Sequence, residues 1–140
     1  MRRLLRKNVQ LAALCLATLL TPAHANNMAI KCEFAILKHA HETLIFCGKK
    51  IDPANEARYQ TVANQFESFI ASNADSKPDW RESVEEIRRG LLREGKDRVC
   101  KDQDYQKHRR MFSLYVSDYG MAYVKKLLSR PRDPAKGDCF

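Results

Sequence analysis

Glycine is scarce in this sequence, and the patterns that identify common active sites are missing. Only five of the 140 residues are glycine, which excludes the glycine-rich loops that cradle phosphates or approach a dinucleotide. The sequence also lacks the G-x-S-x-G motif of a serine nucleophile and the H-E-x-x-H motif of a metalloprotease. Dispersed catalytic residues leave no motif, but these absences favour a binding protein over an enzyme.

No long apolar run is present either. The longest extends from Val9 to Leu20, well short of the roughly 20 apolar residues that a membrane-spanning helix needs. Four cations and no acid precede this run, and a small-x-small sequence ending at Ala25 follows it. This is the pattern of a secretory signal peptide. We therefore expect residues 1–25 to be removed, leaving a single mature domain of residues 26–140.

Export limits the choice of compartment and partner. The segment 1–25 takes four cations with it and no acid, which reduces the formal net charge from +8 to +4. We expect the mature protein to be periplasmic or secreted, with no transmembrane anchor. Nucleic acid is not the ordinary partner in those places, so we expect the partner to be another envelope or secreted protein.

Cysteine usage agrees with an oxidising compartment. One of the five cysteines lies in the expected signal peptide, and the four that remain include no C-x-x-C pair. Scattered cysteines in even number favour disulfides over a zinc site. We expect two disulfides, no metal and no cofactor. The four cysteines are Cys32, Cys47, Cys100 and Cys139.

Apolar residues recur at helical spacing, and no alternating strand pattern of useful length occurs. Together with their capping residues they predict an all-α fold, a four-helix antiparallel bundle followed by an irregular tail from Arg130 to Phe140. The predicted helices are 29–47 ending before Gly48, 53–73 after Asp52, 80–94 between Asp79 and Gly95, and 103–129 after Asp102. The fourth has an apolar stripe of Tyr105, Phe112, Tyr115, Tyr119 and Ala122.

The bundle predicts which cysteines pair. Cys32 and Cys47 are at opposite ends of the first helix, about 22 Å apart at 1.5 Å per residue, and a disulfide tolerates only about 7 Å between Cα atoms. Alternating helix directions bring the start of helix one near the end of helix four. We therefore expect Cys32 to pair with Cys139, which would tether the tail, and Cys47 to pair with Cys100.

Two histidines near the middle of the first helix do not form a metal pair. His39 and His41 are two positions apart, so on a helix their side chains point about 200° from each other. His41 falls on the apolar stripe, and we expect it to be partly buried and hydrogen-bonded to a neighbour. We expect His39 to be solvated.

Basic residues concentrate in the second half of the chain and form the candidate binding surface. Its partner could be nucleic acid, anionic lipid or an acidic protein, and the tyrosines of helix four either contribute to the contact or pack in the core. The alternative is that mixed charges only keep a small helical protein soluble. The candidate residues are Arg88, Arg89, Lys107, Arg109 and Arg110.

The general plan resembles that of several groups of bacterial periplasmic proteins, including immunity proteins that neutralise cell-wall amidases. It combines a signal peptide, about 115 helical residues and two disulfides. The resemblance implies a non-enzymatic protein that binds another protein, with an inhibitor or immunity protein as its most concrete form. Two other hypotheses remain open. One is a small exported enzyme acting on cell wall or another anionic substrate, and the other is an envelope or secretion-apparatus component that binds an anionic surface.

Overall fold

The computed structural model describes residues 28–76, 78–101 and 103–139. Within these ranges the chain is all-α, as predicted, with six helices in place of the four expected. The predicted signal peptide and the predicted cap Asp102 lie outside the described residues. No helix in the described ranges is long and apolar enough to cross a membrane. The helices are α1 (Ile30–Phe46), α2 (Pro53–Asn73), α3 (Trp80–Glu94), α4 (Lys96–Lys101), α5 (Gln103–Tyr115) and α6 (Asp118–Leu127).

Capping residues lie where the sequence predicts them at the end of α1 and at the starts of α2 and α3. Asp52 accepts a hydrogen bond from the Asn55 N–H at 3.0 Å at the start of α2, and Asp79 accepts from two N–H groups in the first turn of α3. Gly48 follows α1 with a φ of 74°, the left-handed conformation that favours glycine after a helix. Local capping chemistry therefore determines these boundaries.

The centre of the fold is α1, which contacts α2, α3, α4 and α5. Its Phe34 ring stacks on Phe66 of α2 with the ring centroids 5.2 Å apart. Neighbours cover more than one face of α1, so charged side chains such as Glu33, Lys38 and Glu42 are buried beside its apolar residues. Buried charges are costly unless they are paired and hydrogen-bonded, so each of them requires a partner from another helix.

The predicted fourth helix is broken after Tyr115, and this is the main departure from the expected bundle. Ser117 begins a new helix, because its Oγ accepts a hydrogen bond from the Gly120 N–H at 3.0 Å and donates one to the Leu114 carbonyl at 2.6 Å. A Cβ at position 120 would overlap the Leu114 carbonyl. The close turn between α5 and α6 therefore depends on both the serine and the glycine.

The four cysteines lie in two pairs at disulfide distance. The Cα atoms of Cys32 and Cys139 are 5.4 Å apart, and those of Cys47 and Cys100 are 5.5 Å apart. These are the pairs that the positions of the helix ends predict. The first joins the start of α1 to the tail, and the second joins the end of α1 to α4.

The tail also caps α1 through its backbone. The N–H of Ala29 donates to the carbonyl of Asp138, and the N–H of Lys31 donates to the carbonyl of Pro134, both at 3.1 Å. No side chain caps this end of α1, so the tail satisfies donors that a helix start otherwise leaves unpaired. The tail is thus part of the folded domain.

Candidate functional site

Two of the five predicted binding residues are engaged by acids of the protein itself. The Nε atom of Arg88 lies 2.7 Å from the carboxylate of Glu42 on α1, and the Nζ atom of Lys107 lies 2.7 Å from the carboxylate of Asp104. The ion pair between Arg88 and Glu42 joins α3 to a buried carboxylate of α1, which gives Arg88 a structural role.

All five predicted residues are exposed, and the three not named above lie on two different helices. Arg89 lies on α3, whereas Arg109 and Arg110 lie on α5. The two α5 arginines line one shallow cavity together with Leu114. The structure therefore brings Arg109 and Arg110 together at the edge of the apolar surface that follows.

A groove of about 280 Å³ between α1, α5 and α6, here called the α5–α6 groove, has mainly apolar walls. Its walls include Ile36 of α1, Leu114 of α5, and Tyr119 and Tyr123 of α6. Three of these large side chains are well exposed, Leu114 at 49 %, Tyr119 at 73 % and Tyr123 at 37 %. Several large apolar side chains gathered at one groove distinguish it from the single exposed residues that are normal on a surface.

The break between α5 and α6 creates this groove. It also means that the predicted apolar stripe is wrong for the residues of α6. Tyr119 and Ala122, both predicted on the buried face of one long helix, are exposed. Gly120 and Val124 are the buried residues of α6 instead, because the new helix starts with its own orientation.

The floor of the groove is a buried carboxylate held by two tyrosines. Glu33, only 5 % exposed, accepts hydrogen bonds from the hydroxyl of Tyr115 at 2.7 Å and from that of Tyr123 at 2.6 Å. Burial, together with the charge of Glu33 and the hydrogen bonds to it, raises the pKa of both tyrosines above the ordinary range. Both hydroxyls therefore remain protonated donors, and they fix the positions of their rings.

A second cavity, of about 510 Å³, adjoins the groove and is called here the basic cavity. Three cations line it, Lys126, Arg130 and Arg132, at the end of α6 and the start of the tail. It shares Met28, Glu33 and Tyr123 with the α5–α6 groove. An apolar surface and a cationic surface thus meet at the same three residues.

His41 lies in a separate, enclosed network. It is 6 % exposed, its ring stacks on Tyr59 with centroids 3.7 Å apart, and its Nε2 lies 2.9 Å from the carboxylate of Glu56. Burial lowers the pKa of His41, but the hydrogen bonds and charges of Glu42 and Glu56 outweigh burial and raise it. A buried, hydrogen-bonded histidine agrees with the sequence expectation and indicates a structural role.

His39 was expected to be solvated, but it is only partly exposed and contacts a second histidine. Its Nδ1 lies 3.1 Å from Nε2 of His108 on α5, and burial lowers the pKa of both rings. A contact this short requires one ring to donate and the other to accept, which two neutral imidazoles can do. Across the described residues, no group of three or more His, Cys, Asp or Glu side chains is placed to hold a metal ion.

Lys38 is a buried cation that the sequence did not single out. Its Nζ lies 4.2 Å from the ring centroid of Trp80 and 4.6 Å from that of Phe34, and it donates to Ser83 at 3.0 Å. Burial lowers the pKa of Lys38 to about 8, although the charge of Glu67 opposes this change. Cation–π contact and one hydrogen bond compensate in part for lost hydration.

Sequence reasoning missed Glu33 altogether and counted Arg130 and Arg132 only as members of a basic half. The one local signal was Ser117-Asp118, a capping residue followed by an acid in the first turn of a helix. That signal predicts a helix start and would have placed Tyr119 and Tyr123 on a new helix.

Comparison of the chain with protein-family models, with curated proteins and with solved structures yields no match.

Proposed function

We propose that the protein is an exported, non-enzymatic binding protein whose α5–α6 groove receives an apolar side chain from a segment of another protein. The observation that carries this proposal is the exposure of Leu114, Tyr119 and Tyr123 around one groove. Contiguous apolar surface of this kind marks interaction sites. Tyrosine suits such sites because its ring supplies apolar contact area while its hydroxyl keeps a hydrogen bond.

Rigidity of the groove supports the same proposal. Two hydrogen bonds to Glu33 fix the rings of Tyr115 and Tyr123, and the cysteine pair Cys32–Cys139 lies close to Glu33 along α1. A surface that is ordered before binding loses less conformational entropy when the partner arrives. The α5–α6 groove is therefore suited to bind a partner without rearrangement.

The expected compartment narrows the class of partner. The charged and apolar pattern of residues 1–25 and the two cysteine pairs support a periplasmic or secreted location. A small rigid protein in that location that binds another envelope or secreted protein acts most simply as an inhibitor or an immunity protein.

Two apolar-to-acidic variants with matched chemistry test the proposal. Leu114→Asp places a charge in the groove, and Leu92→Asp places the same charge at an exposed leucine of α3, 69 % exposed, outside the groove. Affinity-tagged wild-type protein and both variants are exported from the source cells, and co-purified proteins are quantified by mass spectrometry.

We expect one discrete protein to be retained by wild type and Leu92→Asp, and at least about tenfold less of it by Leu114→Asp, since burying an unpaired charge in an interface is costly. Equal retention by all three proteins would contradict a role for the groove.

A further inference from the structure

The three cations of the basic cavity have no acidic partner among the described residues. Lys126, Arg130 and Arg132 line one cavity, yet none of them forms an ion pair within 28–76, 78–101 and 103–139. Some cations elsewhere in the described residues do pair with an acid, as Arg58 does with Asp118 at 2.6 Å.

One of these three cations, Arg132, also has a hydrogen-bond donor without a partner in the described part of the chain. Its Nε is buried and has no hydrogen-bond partner among the described residues. A buried donor without a partner is costly to the fold, and an acceptor from outside reaches Arg132 only through the part of its side chain that lines the cavity. The arginine side chain presents several donors in a fixed plane that matches a carboxylate or a phosphate.

The chemistry of the cavity walls restricts the ligand further. Met28 and Leu127 give the cavity an apolar side, and Tyr123 separates it from the α5–α6 groove. Glu33 also borders both, but its two carboxylate oxygens each accept a tyrosine hydroxyl. A ligand that spans both cavities therefore needs an apolar group and an anionic group close together.

We propose that the basic cavity binds a carboxylate of an acidic residue that lies next to the groove-binding apolar residue in the same partner segment. This inference rests on the proposed function of the groove. It identifies the partner segment by its chemistry: a short peptide stretch with one large apolar side chain flanked by aspartate or glutamate. The contact gives specificity, because a segment with a lysine at that position is repelled by three cations.

A peptide array with a fixed central phenylalanine tests the proposal. Each peptide carries Asp, Asn, Lys or phosphoserine at one flanking position, and further peptides have alanine in place of the phenylalanine. Binding is measured at about 0.15 M ionic strength, where exposed charges are screened beyond about 8 Å. The proteins are wild type, Arg130→Gln/Arg132→Gln, and the charge-matched control Lys125→Gln/Lys136→Gln, which changes two exposed lysines outside the cavity.

We expect the best Asp peptide to bind wild type about tenfold more tightly than its Asn counterpart. The ratio should fall to about one in the arginine variant and persist in the lysine control. If both variants lost the preference for the Asp peptide equally, general charge attraction would explain that preference, and the proposal would be overturned. Much tighter binding of the phosphoserine peptide would overturn the choice of carboxylate.

The outcomes for the groove and for the basic cavity are separable. Phenylalanine peptides that bind without any preference for Asp would overturn the basic-cavity proposal and leave the groove intact. Asp peptides that bind equally well with alanine at the centre would overturn the joint site. Absence of binding by every peptide would overturn both proposals.

Discussion

The hydroxyl of Tyr115 on α5 donates a 2.7 Å hydrogen bond to the carboxylate of Glu33 on α1, a residue 82 positions earlier in the chain. Both side chains are buried. Tyr123 donates to the other carboxylate oxygen from the wall of the groove. This arrangement links the core of the protein to its candidate binding surface, since the same carboxylate stabilises the fold and orients the aromatic wall.

Tyr115→Phe is expected to lower the free energy of unfolding by about 1–3 kcal/mol, because a buried carboxylate loses a donor that water cannot replace. Tyr123→Phe is the matched control. It removes the same group from the same carboxylate at a half-exposed position, so its effect should be smaller. Urea unfolding followed by circular dichroism measures both, and an effect of Tyr115→Phe no larger than that of Tyr123→Phe would contradict the account.

His41 and His108 affect the pH dependence of the unfolding free energy in opposite directions. The pKa of His41 is raised in the folded protein because Glu42 and Glu56 outweigh the effect of burial. Its stabilisation is therefore full below the ordinary value of about 6.5 and is lost as pH rises through the folded pKa. The difference in unfolding free energy between wild type and His41→Gln should shrink from pH 6 to pH 9.

His108 has the opposite sign because burial, with the charge of His39, lowers its pKa, while Asp104 opposes this change. The unfolded chain then binds more protons below about pH 6.5, so wild type loses stability as pH falls. His108→Gln should lose less between pH 7 and pH 5. Parallel pH profiles for wild type and His108→Gln would contradict the lowered pKa of His108 in the folded protein.

Lys38→Met should be at least as stable as wild type at pH 7, because burial lowers the pKa of this lysine to about 8 and apolar replacements of buried charges are often neutral or stabilising. The unfolded lysine holds its proton up to about pH 10.4. Wild type therefore gains stability relative to Lys38→Met as pH rises from 8 to 10. Chemical denaturation at pH 7, 8, 9 and 10 measures the difference, and a constant difference would be inconsistent with a buried ammonium.

Non-reducing peptide mapping is expected to recover Cys32 linked to Cys139 and Cys47 linked to Cys100. Trypsin separates the four cysteines, because a lysine or arginine lies between each pair of neighbours in the sequence. Closing loops of 107 and 53 residues should stabilise the domain by roughly 2–5 kcal/mol each, so reduction should lower the unfolding midpoint. Recovery of Cys32 linked to Cys100 would exclude the arrangement of helix ends described above.

Local chemistry explains what the sequence predicts correctly. Asp52, Asp79 and Gly48 act within one turn of their own helices, so the starts of α2 and α3 and the end of α1 follow from neighbours in the chain. The cysteine pairs follow from helix lengths, since the long α1 places Cys32 and Cys47 at opposite ends. Neither inference requires knowledge of which side chains meet across the fold.

The candidate site depends on contacts that sequence patterns do not encode. Tyr105, Phe112, Tyr115 and Tyr119 continue a helical spacing across Ser117, so periodicity alone predicts one long helix. Both partners of Glu33, Tyr115 and Tyr123, are more than 80 residues away in the chain, and nothing near Glu33 in the sequence identifies them. Likewise, Arg88 has acids at helical spacing on α3, yet it also pairs with Glu42 on a different helix.

The most direct test of the central claim is site-specific photo-crosslinking in the source cells. A photoreactive phenylalanine analogue replaces Tyr119 in the groove wall or, as a control, Leu92 on α3, both of which are highly exposed. We expect one discrete adduct with an envelope or secreted protein from position 119, none of the same mass from position 92, and loss of the adduct when Leu114→Asp is added. No adduct at position 119, or the same adducts from both positions, would contradict the proposal that the α5–α6 groove binds a partner protein.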